Sequence, residues 1–185
     1  MGKPMSKNLI KAGHELYVND HGPEAVAELV ELGASPVANG AEAARAGDLV
    51  ITMLPNSPQV TEVALGEGGI ADGAHEGLIY VDMSSIAPLV SREIHDALAP
   101  KGISMLDAPV SGGEPKAIDA TMSVMVGGDR AIFDVVAPII DAMAGTVTYV
   151  GSIGAGNIAK LANQTIVAVN IAACAEAFML AQKAG

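Results

Sequence analysis

At 185 residues, half of them hydrophobic, the chain is long enough for one domain, or one domain and part of a second, around a sizeable core. A net charge of −11 argues against nucleic acid and anionic membranes as partners, so an anionic substrate would need a local cation and backbone N–H groups. One cysteine, Cys174, excludes a disulfide framework and fits a reducing, cytoplasmic setting, and the scattered His14, His21, His75 and His95 suggest no metal site.

Residues 1–12 predict a helix that starts almost at the first residue, with Gly2 and Pro4 in its first turn and Met5, Leu9 and Ile10 facing inward. Gly13 stops it. Leu16-Tyr17-Val18 reads as a short strand ending at Asn19-Asp20, and Pro23 to Leu32 as a helix closed by Gly33. A weak strand at Ser35–Val37 and an alanine-rich helix at Ala41–Ala46 follow, then a buried strand, Leu49 to Leu54. The bracketed loop Pro55-Asn56-Ser57-Pro58 leads into a helix to about Leu65. Leu78–Asp82 is a strand, Ala87–Leu98 a helix and Ile103–Asp107 a strand. Residues 108–120 read as a loop holding Ser111-Gly112-Gly113. Met122–Val126 is a strand, Asp129–Ala142 a helix, Thr146–Val150 a strand, and a long helix runs from about Asn157 to Ala184.

Strands alternate with helices and most strands are continuously apolar. That pattern predicts a Rossmann-like α/β domain, doubly wound around a mainly parallel sheet, over residues 1–152. Residues 153–185 read as a long interdomain helix, apolar on more than one side and in need of a partner domain. Residues 161–181 are apolar enough to raise a membrane span, but Asn163, Gln164, Asn170 and Glu176 interrupt the run, and a helix buried between domains is the better reading. Cys174, within it, is expected to pack in a core.

A dinucleotide domain needs a strand, a G-x-G-x-x-G turn, a helix and then an acid about 20 residues on. Here the helix and the acid are present, with Asp20 eighteen residues after Gly2, whereas the strand and the first two glycines are absent. The expectation is a piece of a longer protein of about 300 residues, lacking the middle strand of its sheet.

The stretch Gly154-Ala155-Gly156-Asn157-Ile158-Ala159-Lys160-Leu161-Ala162-Asn163-Gln164 is a glycine turn opening a helix. Its i, i+3, i+4 spacing puts Lys160, Asn163 and Gln164 on one face. Lys160 stands among apolar neighbours, near a helix start where the dipole disfavours a cation, which makes it a candidate acid or base.

Five ordered motifs carry a resemblance along the whole chain: Met1-Gly2-Lys3-Pro4-Met5, Met53-Leu54-Pro55-Asn56-Ser57-Pro58, Asp82-Met83-Ser84-Ser85-Ile86-Ala87-Pro88, Asp107-Ala108-Pro109-Val110-Ser111-Gly112-Gly113, and Gly154 to Gln164. Together they resemble the β-hydroxyacid dehydrogenase family. The resemblance implies a Rossmann-like domain whose long helix, residues 153–185, begins an all-α C-terminal domain, and reversible hydride transfer between a nicotinamide cofactor and a small anionic hydroxy acid or aldehyde, in a homo-oligomer when full length. It implies that Gly2 abuts the cofactor pyrophosphate, that Asp20 holds the adenosine ribose, that Leu54, Pro55 and Gln59 line the cofactor, and that Ser85 lies near the nicotinamide ribose. A carboxylate at Asp20 with no arginine after it favours NAD over NADP. Ser111, Gly112 and Gly113 become substrate-carboxylate ligands and Lys160 the catalytic acid/base. The family pattern puts an asparagine four residues after the lysine; here Gln164 stands there and Asn163 precedes it, so both amides are candidates for orienting the substrate. Without the resemblance, Asp20 is equally a turn residue, Ser84-Ser85 a helix cap and Ser111-Gly112-Gly113 a plain turn. A non-catalytic scaffold that keeps the fold is the alternative of another class; loss of the lysine would mark it.

Overall fold

A computed structural model describes all 185 residues. Helix α1 (Gly2–Lys11) turns Met5 and Leu9, one helical turn apart, into the core. Strand β1 (Tyr17–Val18), helix α2 (Pro23–Glu31) and strand β2 (Ser35–Pro36) follow; Pro23 occupies the first turn of α2, where its missing N–H costs nothing. Helix α3 (Gly40–Ala46) is capped by the Asn39 side chain, which accepts the Glu42 N–H, while the Glu42 carboxylate accepts the Ala38 N–H.

Strand β3 (Leu49–Thr52) leads into α4 (Ser57–Leu65), β4 (Ile79–Asp82), α5 (Pro88–Leu98) and β5 (Ser104–Asp107). Strand β6 (Val110–Ser111), helix α6 (Gly113–Ile118), strand β7 (Met122–Gly128), helix α7 (Arg130–Asp141), strand β8 (Ala144–Gly151) and helix α8 (Ala155–Ala184) complete the chain.

Strands β3, β4 and β5 are parallel neighbours; β7 runs antiparallel to β5 and β6 and parallel to β8. Helices cover both faces, so consecutive strand residues enter different cores. Tyr80 packs with Val60, Ile94 and Leu98, whereas Val81 packs with Met5, Leu106 and Ile140. This is the doubly wound, mainly parallel α/β fold that the sequence predicts.

Strands β1 and β2 form a sheet of their own. It faces β3, whose outer edge has no partner, across a cleft of about 500 Å³ lined by Leu16–Asp20 on one side and Leu49–Leu54 on the other. The split in the sheet falls where the dinucleotide-domain pattern expects a further strand.

Three expectations are corrected. The stretch read as a loop, 108–120, contains β6 and α6. A strand of two residues and a helix of six are too short to show a periodicity, and the turn between them is made by Gly112 and Gly113 at φ 135° and 69°. Strand β3 ends at Thr52, and Met53-Leu54 already belong to the loop beyond it. Cys174, expected in a core, is exposed: the buried residues of α8 are Gly156 and Asn157, and burial of the rest between domains would need a partner surface that these 185 residues do not supply. The reason is packing, since Ile166, Val169, Ile171, Phe178 and Leu180 all lie open with nothing in the 185 residues against them. By length and composition alone α8 could cross a membrane.

Candidate active site

The carboxyl ends of β3, β4 and β5 lie in register, pairing Thr52 with Asp82 and Asp82 with Asp107. All three side chains are buried. Burying polar groups is tolerated only where hydrogen bonds replace water, and here those bonds hold the loops beyond the strands. Thr52 Oγ1 donates to Asp82 Oδ1 at 2.8 Å, and the Ser84 N–H donates to the same oxygen at 3.1 Å. Ser84 Oγ in turn accepts the Leu54 N–H at 2.9 Å. Asp82 Oδ2 is buried with no partner, and burial raises this carboxyl to a pKa of about 6.

Asp107 makes the next connection. Its Oδ1 accepts the Gly154 N–H and its Oδ2 the Asn157 N–H, each at 2.7 Å. Gly154, at φ 86°, has no side chain to cap α8, so a carboxylate from the end of β5 caps it instead. Burial pushes the Asp107 carboxyl up, and the two N–H donors work against that shift.

One turn into α8, Lys160 borders a cleft of about 360 Å³ with Gln164, Asn157, Ser85, Asn56 and Ser57. It is half-buried, no carboxylate forms an ion pair with it, and burial lowers its pKa. A lysine without a counter-ion on a cleft wall can lend a proton or take one. The Ser57 hydroxyl accepts the Ala87 N–H at 3.2 Å, tying the two loops that face it.

The other expected residues fall in two places. Gly2, Asp20 and Leu54 line the larger cleft between the two sheets. Gly2 opens α1, whose first turn has neither a side-chain cap nor an acidic residue, leaving its N–H groups for an anion. A Cβ at Gly2 would stand 3.9 Å from that of Met53, so α1 starts close to the loop after β3. Asp20 is exposed and uses one oxygen to accept the Gly22 N–H at 2.7 Å. These are the groups that a dinucleotide needs, N–H donors for the pyrophosphate and a carboxylate for ribose hydroxyls, so the residues present fit NAD. Asn163 and Gln164 bond to each other at 3.1 Å, and Gln164 is the one that borders the Lys160 cleft. Pro55, Gln59, Ser111, Gly112 and Gly113 border neither cleft.

Residues 1–151 match the family described as the NAD binding domain of 6-phosphogluconate dehydrogenase. The chain belongs to this family of NAD-binding domains. It is thus an NAD-binding domain, and the proteins it is similar to include dehydrogenases and reductases of small hydroxy acids. It is 45% identical, along its whole length, to the 2-hydroxy-3-oxopropionate reductase of Escherichia coli K12 and covers 63% of that protein. It is 38% identical to the 3-hydroxyisobutyrate dehydrogenase of Pseudomonas aeruginosa, again over the whole chain and 62% of the relative. Among solved structures, a Mycobacterium tuberculosis 3-hydroxyisobutyrate dehydrogenase with L-serine superposes with a TM-score of 0.92 at 38% identity, over the whole chain and 62% of that structure. The chain thus spans less than two thirds of the length of each of these relatives.

No role for Thr52, Ser91, Asp107 or Asn157 is legible in the sequence. Asp107 and Asn157 stood inside quoted motifs, but their partners are 47 to 71 residues away, and no local pattern signals such a bond.

Proposed function

We propose that the protein, at the length of its relatives, is an NADH-dependent 2-hydroxy-3-oxopropionate reductase that reversibly converts tartronate semialdehyde to glycerate. The observation that carries this is Lys160, half-buried and without a counter-ion on the cleft beside Ser85. The 45% identity to the Escherichia coli reductase supports this choice of substrate.

In this reading NADH, when bound, would supply the hydride to the aldehyde carbon and leave as NAD. Lys160, as ammonium, stabilises the charge that develops on the substrate oxygen and donates its proton there. In the oxidising direction the neutral amine takes the hydroxyl proton, and the burial that lowers its pKa assists that step. Gly2 offers its helix N-terminus to the pyrophosphate and Asp20 holds the adenosine ribose, with Leu54, Pro55 and Gln59 along the cofactor and Ser85 by the second ribose. Ser111 with the Gly112 and Gly113 N–H groups takes the substrate carboxylate; positive φ at both glycines suits an anion-binding turn. Gln164, with Asn163 bonded to it, orients the substrate.

We place the domain boundary at 152/153. The open apolar side of α8 is then the surface for a helical domain and for association of subunits, in a cytoplasmic enzyme. A 3-hydroxyisobutyrate dehydrogenase is the second reading, favoured by the Mycobacterium tuberculosis likeness.

Assaying the full-length protein with NADH and tartronate semialdehyde, and with NAD and 3-hydroxyisobutyrate, separates the two by their kcat/KM. Lys160→Ala should lower kcat by orders of magnitude and leave NADH affinity nearly intact. Undiminished turnover removes Lys160 from the mechanism.

A further inference from the structure

We infer that Asn157, held in place by Asp107, is the positioning residue that sets Lys160 against the loop after β4. This rests on the reading of Lys160 as the proton donor.

Asn157 is 1% exposed, yet it is an amide, and each of its polar groups is used on a different segment. Its backbone N–H goes to Asp107 Oδ2 at 2.7 Å, at the end of β5. Its Oδ1 accepts the Ile86 N–H at 3.1 Å, and its Nδ2 donates to the buried Ser91 Oγ at 3.1 Å. Ile86 follows Ser85 directly, and Lys160 is three residues after Asn157 on the same face of α8. One amide therefore joins the loop that carries Ser85 to the helix that carries Lys160. Elsewhere the helix start is pressed on the strand ends: a Cβ at Gly156 would stand 2.6 Å from the Asp107 carbonyl oxygen. That contact limits how near α8 comes to the sheet. The Arg92 Nε bond to the Ile153 carbonyl ties the turn before α8 to α5, and the Asn157 side chain is what bonds the helix directly to the Ser85–Ala87 loop.

Hydride and proton must reach adjacent atoms of one substrate, so a shift of the lysine relative to the cofactor loop costs rate rather than binding. A misplacement of about 1 Å is worth about 100-fold.

The test uses the full-length enzyme and four variants. Asn157→Ala should lower kcat by about 100-fold while KM for NADH stays unchanged. Asn157→Asp keeps both tethers, because the Ser91 hydroxyl can turn and donate to the new carboxylate. It should recover most of kcat, with the Lys160 limb of the pH profile moved to higher pH by the added negative charge. Ser91→Ala, which removes one tether and leaves Asn157 in place, should give an intermediate kcat and serves if Asn157→Ala does not fold. Lys160→Ala is measured beside them: surviving turnover there sinks the proton-donor reading and this inference with it. A dead Lys160→Ala together with unchanged kcat in Asn157→Ala or Ser91→Ala overturns the inference alone. So does an unmoved pH profile in Asn157→Asp.

Discussion

Asp82 offers a direct measure of how the strand ends are electrostatically arranged. Its Oδ1 receives two hydrogen bonds, from Thr52 and Ser84, and its Oδ2 is buried without a partner. An ionised carboxylate there leaves one charged oxygen uncompensated, which is why the carboxyl rises from 3.8 to about 6. A carboxyl raised on folding binds its proton more tightly in the folded state, so it opposes folding at high pH and that opposition fades as pH falls. From these two values the opposition is about 3 kcal/mol above pH 7, about half that at pH 5, and gone below both pKa values. Asp82→Asn mimics the protonated form at every pH and still accepts both bonds through its Oδ1. The variant should therefore be more stable than the parent by up to about 3 kcal/mol at pH 8, with the gap narrowing by more than about 1 kcal/mol at pH 5. Urea unfolding followed by circular dichroism at pH 5, 6, 7 and 8 reads this difference. Any cost of an unpaired Nδ2 is the same at each pH and cancels in the slope. Asp107 also titrates high but is present in both proteins. A gap that does not change with pH would refute the reasoning, because it would mean that Asp82 ionises as easily folded as unfolded.

Asp20→Asn preserves the turn to Gly22 but removes the charge facing the proposed ribose site. Losing a charge-assisted hydrogen bond should raise KM for NADH by about 10- to 100-fold and narrow the preference over NADPH, measured as the ratio of kcat/KM values. Equal KM for NADH in variant and parent would free Asp20 from cofactor binding. Gly156→Ala forces a methyl to within 2.6 Å of the Asp107 carbonyl oxygen, and backbone on both sides cannot yield cheaply. It should cost about 1–3 kcal/mol, visible as a lower Tm, and a parent-like Tm would show that α8 can slide off the sheet end.

Much of the molecule is written locally. Val60, Tyr80, Ile94 and Leu98 are apolar residues at helix or strand spacing, and each lies in the core where that spacing puts it. Asn39 and Asp129 begin helices because their side chains accept N–H groups two or three residues on. Gly2 and Lys160 were legible for the same reason: a helix start and its first turn are local features, and the oddity of a cation there is visible without neighbours.

The rest depends on residues far apart in the chain. Ser111-Gly112-Gly113 reads as an anion-binding turn in sequence, yet it lies outside the cleft that Lys160 borders, and nothing local could report that. The apolar run of α8 calls for a partner surface, and within these residues only the start of the helix, at Gly156 and Asn157, is fully buried.

By itself, then, the sequence determined the alternation of strands and helices, the apolar strands of a doubly covered sheet, and the place of one unusual lysine. Those follow from periodicity and from helix ends, which act over a few residues. Tertiary structure alone decided that Thr52, Asp82 and Asp107 meet at three strand ends, and that a carboxylate from β5 caps the lysine helix. It also decided that Asn157 joins that helix to the Ser85 loop. The bonds responsible, Thr52 to Asp82, Gly154 to Asp107 and Ile86 to Asn157, join segments 30 or more residues apart, made because a buried polar group must find a partner wherever the fold brings one.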